Sequence, residues 1–72
     1  MSRAEQVFAE YGSVPEEDRP TLLLAANRAS NMIGGRFSDN LRSEITHYQQ
    51  MGRDRYLKLD QQAATTLREL GY

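Results

Sequence analysis

One apolar stripe constrains this chain more than any other feature. From Leu41, apolar or small residues recur at Leu41, Ile45, Tyr48, Gly52, Tyr56, Leu59, Ala63, Leu67 and Leu70. Eight steps between these nine positions advance the chain by 29 residues, a mean step of about 3.6, the period of a straight α-helix. Two unrelated helices have no reason to stay in phase with one another, so the stripe reads as one long helix over roughly residues 39–70, bent at Gly52. Ser38-Asp39-Asn40 supplies an N-cap cluster and Gly71 a C-cap, with Tyr72 beyond. The same residues also accommodate two helices, 39–52 and 60–70, joined by a turn at Arg53–Leu59.

Two shorter helices precede the stripe. Ser2 with Glu5 has the spacing of a capping box, and Ala4, Val7, Phe8 and Tyr11 fall on one face before Gly12 offers a left-handed stop. About ten residues are too few to hold a helix alone in water, so this face must dock on something. Pro15 and Pro20 bound a connector whose acids, Glu16, Glu17 and Asp18, read as charges at the start of the next helix. The second helix runs from about Pro20 to Ile33. Leu22, Ala26, Ala29 and Ile33 form its main face and Leu24 lies opposite, a pattern of burial on more than one side. Gly34-Gly35 ends it. No window alternates apolar and polar residues as a strand does.

The fold that follows is all-α: two short helices and one long helix bent at Gly52, a single small helical domain over residues 1–72. Its bundle is expected to be completed by oligomerisation. With 72 residues, no cysteine and a mean hydropathy of -0.72, no disulfide or cysteine zinc site can staple the core. A 32-residue helix is roughly 48 Å long, whereas a globule of this length is only about 30 Å across. The excess stripe, Tyr56, Leu59, Ala63, Leu67 and Leu70, is therefore the expected oligomer interface, in a homodimer or small ring. Val7, Phe8 and Tyr11 are the expected residues for docking a partner.

Charge and motif content narrow the function further. Nine basic and ten acidic residues leave a net charge of -1, against a general nucleic-acid or membrane binder. Residues 1–20 carry -3 and residues 21–59 carry +3, which reads as complementarity within or between chains. No apolar run approaches the roughly 18–20 residues that span a bilayer, and Met1-Ser2-Arg3-Ala4-Glu5 has no apolar signal region. A cytoplasmic setting is the expectation.

Chemistry-bearing patterns are sparse. Glu44 and His47, an E-x-x-H pair of the kind used in di-iron bundles, sit off the stripe with no second inward Glu, and read as a solvated pair rather than a metal site. No serine stands in a nucleophile-elbow context, and Tyr11, Tyr48 and Tyr56 occupy apolar helical positions suited to packing. Gly34-Gly35-Arg36-Phe37 before a helix start has the look of an anion site but lacks phosphate-loop spacing, and a plain turn accounts for it.

The first expectation is a non-enzymatic, homo-oligomeric protein–protein interaction module without cofactor or metal: a regulator, inhibitor or assembly factor with itself and a further protein as partners. The alternative is a helix-turn-helix DNA binder using the 38–53 helix, with Arg36, Arg42, Thr46, Gln49 and Arg53 as candidate DNA or anion contacts. The net charge, Asp39 on the same face and the lack of a basic stripe weigh against it. A third reading, a small ligand or nucleotide in an intersubunit groove, rests on Tyr11 and the arginines.

Overall fold

A computed structural model describes residues 2–71; Tyr72 lies outside the described residues. Four helices follow in order: α1 (Arg3–Tyr11), α2 (Arg19–Met32), α3 (Phe37–Met51) and α4 (Arg53–Glu69), with a single 3-10 turn at Glu16–Asp18 leading into α2. The described chain is all-helical.

The ends of α1 follow from local chemistry. The Ser2 Oγ accepts from the Glu5 N–H at 3.2 Å, and Gly12, at φ 73°, donates its N–H to the Phe8 carbonyl. The φ value is one that a side-chain-bearing residue adopts only at a cost. α2 carries Pro20 in its first turn, where the missing N–H is no loss. Its C-terminus is closed in a way the sequence did not suggest. Asn40, read as part of the N-cap of the following helix, lies inside α3 and donates to the Ser30 Oγ at 2.8 Å and the Gly34 carbonyl at 3.2 Å. An amide side chain one turn into α3 thus reaches back to a hydroxyl in the last turn of α2 and to a carbonyl in the turn that follows it. α3 starts at Phe37, and Ser38 is buried.

The core is organised around α3, against which α1, α2 and α4 all pack. Leu41 and Ile45 from α3, Leu22 and Ala26 from α2 and Val7 from α1 have no exposed surface. Each large aliphatic side chain buried in this way contributes about 1.5–3 kcal/mol. Phe8 and Val14 close the α1 side, with the Arg19 guanidinium 5.1 Å from the Phe8 ring centroid. The face of α1 thus docks on its own chain: Val7 and Phe8 are core residues and Tyr11 is half-buried against that core, so a role in docking another protein does not suit them.

The long helix is the larger revision. Gly52 stands at φ 90° and ψ 151°, outside any helical region, and divides the segment into α3 and α4. The two-helix alternative is revised as well, since residues 53–59 are helical rather than a turn. The chain turns at one residue because both helices keep a bond to it: the Gly52 N–H donates to the Tyr48 carbonyl at 3.1 Å, and the Gly52 carbonyl accepts from the Tyr56 N–H at 3.0 Å. The gain is visible beside the corner. Tyr56 folds onto Tyr48, ring centroids 5.6 Å apart at 75°, and is 4% exposed. The longest dimension is 35 Å, short of the roughly 48 Å of an unbroken helix.

A candidate interaction surface between α2 and α4

Past Tyr56, α4 leaves the core. Leu57 packs against the cluster from its edge, but Leu59 is 41% exposed, Ala63 is exposed, Leu67 is half-buried and Leu70 is 67% exposed. Of the expected oligomer interface, Tyr56 is therefore taken by the chain's own core, while Leu59, Ala63, Leu67 and Leu70 remain at the surface. The C-terminal half of α2 presents Met32 at 50% and Ile33 at 86% exposure on the same side. Between these elements runs a groove of about 300 Å³ whose floor includes Ala25, Ala29 and Tyr56 and whose rim includes Met32, Leu59 and Ala63. A second depression, lined by Arg28, Met32, Ala64 and Leu67, continues it towards the end of α4.

Polar groups on the groove are paired with one another. The Tyr56 hydroxyl donates to Glu44 at 2.7 Å, and Arg28 donates to Asp60 at 3.1 Å across the gap between α2 and α4. Burial first, and then the Glu44 carboxylate, push the Tyr56 hydroxyl well above the ordinary range of a phenol. Glu44 is thus not a solvated group: its side chain is 21% exposed and engaged, with the His47 Nδ1 3.9 Å away. Among the described residues, no three His, Asp or Glu side chains cluster as metal ligands. No described helix is long and apolar enough to cross a membrane.

The start of α4 is held by a polar cluster that sequence reading missed. Asp18, assigned to helix capping, makes no cap bond; it is buried and accepts from the Tyr48 hydroxyl at 2.5 Å and from Arg53 at 2.7 and 3.0 Å. Arg53 and then Tyr48 hold its carboxyl below the usual carboxylate range. Burial, reinforced by Asp18, pushes the Tyr48 hydroxyl up to about 12. These partners lie 30 and 35 positions apart, and no local pattern links them.

The same pairing bears on the DNA-contact residues. Arg42 makes a two-bond fork with Glu10 at 3.0 and 3.1 Å and reaches Asp39 at 3.2 Å, so its charge is met from α1 and from its own helix. Arg53 is held by Asp18, Gln49 donates to the Ser13 hydroxyl at 3.1 Å, and the Thr46 hydroxyl donates to the Arg42 carbonyl. Of the five, Arg36 has none of these engagements and is exposed. On the face of α3 that a recognition helix would present, Arg42 and Gln49 reach across to Glu10 of α1 and Ser13 of the connector. The α2–turn–α3 layout is present, but two of its three cations, Arg42 and Arg53, are matched by carboxylates instead of standing free for phosphates. Comparison with protein-family models, curated proteins and solved structures finds no match to this chain.

Proposed function

We propose that this chain is a non-enzymatic helical interaction module of the cytoplasm that works as a homo-oligomer, as a regulator, inhibitor or assembly factor towards a further protein. One observation carries the reading: of the large apolar side chains the core leaves uncovered, Met32, Ile33, Met51 and Leu59 line one groove between α2 and α4, half-buried Leu67 lines the depression beside it, and Leu24 and Leu70 stand outside both. Scattered exposed apolar residues need no explanation, whereas a contiguous set marks a contact surface. The occupant that fits is a second copy. The polar groups lining the groove are hydrogen-bonded within the chain, Arg28 to Asp60 and Tyr56 to Glu44, so a second copy meets few unpaired donors or acceptors there.

The reading is tested by light scattering on the wild-type chain and on Leu59→Asp and Leu67→Asp. Wild type at tens of micromolar has a multiple of the 8.2 kDa chain mass, and each variant falls to one chain with the helical circular-dichroism signal retained, because neither position is fully buried. A wild-type mass of one chain would sink the proposal.

A further inference from the structure

Gly52 is a corner in a segment patterned as a single helix. We infer that the self-association proposed above, on which this step rests, proceeds by exchange of α4: Gly52 straightens, α3 and α4 become one helix, and α4 of each copy packs on the α2–α3 surface of the other.

Three observations lead there. First, Leu59, Ala63, Leu67 and Leu70 continue the phase of Leu41, Ile45 and Tyr48 through Gly52, although the bent chain buries that stripe only as far as Tyr56. Beyond Tyr56 the continued phase buries little in the bent form, and it is what a continuous helix requires. Second, the conversion is confined to one residue. The bonds from the Gly52 N–H to Tyr48 and from the Tyr56 N–H to Gly52 are already those of a continuous helix. The corner leaves the N–H groups of Arg53, Asp54 and Arg55 at the start of a helix that no side chain caps. Straightening gives them the carbonyls of Gln49, Gln50 and Met51. No neighbouring atom stands within 4 Å of where a Gly52 side chain would begin, so the glycine is there for its φ of 90° and not for lack of space. Third, the packing of α4 is concentrated in its first two turns, at the Arg53–Asp18 pair, Tyr56, Leu57 and the Arg28–Asp60 pair, and these contacts re-form between copies. A one-residue hinge and a small detachable element are the ingredients of exchange between identical chains.

Backbone chirality at position 52 provides the test. An L-alanine cannot hold φ 90° and ψ 151° without strain and favours the straight helix; a D-alanine, introduced by chemical synthesis, is at ease in the bent form. The chain has no cysteine, so Asp39→Cys and Glu69→Cys, both on exposed helical positions, give a unique spin-label pair. In a straight helix the pair is about 45 Å apart. The distance is read by pulsed electron resonance in chromatographically separated monomer and dimer, with labelled chain diluted into unlabelled chain. Gly52→Ala is expected to lower the apparent dimer dissociation constant by about tenfold or more, and its dimer to show the 45 Å distance, while the D-alanine chain stays monomeric. A dimer whose distance equals that of the monomer overturns the exchange and leaves simple self-association standing. A folded Gly52→Ala chain that remains monomeric at millimolar concentration also overturns it. Should Gly52→Ala fail to fold, the wild-type dimer, measured in the same way, decides between the two distances.

Discussion

α3 and α4 are near in length, 15 and 17 residues, and carry the same apolar period, yet they are held by different forces. α3 lies in the middle of the molecule, with Leu41 and Ile45 wholly buried and Tyr48 nearly so. α4 buries only Tyr56 and is tied down by polar contacts: Arg53 to Asp18, Tyr56 to Glu44 and Asp60 to Arg28. An amphipathic pattern therefore specifies which face of a helix seeks cover. Whether cover is found depends on how many helices lie within reach, and the described residues form only two α-helices besides these.

Truncating matching stripe positions is expected to give the largest contrast between the two helices. Ile45→Ala is expected to cost about 2–5 kcal/mol by leaving a cavity among packed helices, enough to unfold much of so small a domain. Leu67→Ala, on the half-covered end of α4, is expected to cost under about 1 kcal/mol in the single chain. Urea titration followed by circular dichroism measures both; equal losses would refute the contrast.

The polar ties come next. Asp18→Asn removes the charge that Arg53 and Tyr48 share, with an expected loss of about 1–3 kcal/mol. The same carboxyl gives a pH signature. Its value in the folded chain is lowered from 3.8, so its contribution is complete above that value and is lost as pH falls below it. At the other end, the Tyr48 hydroxyl is raised from 10.0 to about 12, so its contribution is complete below 10.0 and is lost as pH rises through about 12. A pH series of melting temperatures in which Asp18→Asn keeps the full wild-type acid slope would remove Asp18 from this role.

Tyr56→Phe keeps the ring against Tyr48 and deletes the bond to Glu44, with an expected cost of about 1 kcal/mol. Hydrogen exchange sharpens the comparison here. Amides of α4 are expected to lose protection while those of α2 and α3 keep theirs, because α4 can open without dismantling the core. Protection falling evenly over all four helices would show that α4 is not a separable unit. The smallest effect belongs to the outer face of α4: Thr66→Ala is expected to shift stability by less than about 0.5 kcal/mol.

The candidate surface was partly legible in the sequence. Leu59, Ala63, Leu67 and Leu70 were marked as uncovered because the stripe exceeds what two short helices can reach, and they are at the surface. Tyr56 was grouped with them, because period alone does not show where along a stripe cover ends. Val7 and Phe8 were assigned to a partner for the same reason: a docking face carries no label for what it docks on. Asp18 was hidden more deeply, since its role depends on Tyr48 and Arg53, brought to it by the fold of α3 and the corner after it.

The all-helical class, the glycine and proline punctuation, the capped start of α1 and the apolar side of each helix are legible in the residues alone. These follow from local sterics, hydrogen bonds to adjacent turns and a periodicity that needs no knowledge of neighbours. The turn at Gly52 within residues 37–69 and the meeting of Asp18, Tyr48 and Arg53 come from the assembled fold. Glycine permits both the helical and the extended left-hand conformation, and the choice rests on what Tyr56 and Arg53 gain across the corner, a balance of contacts between residues far apart in the chain.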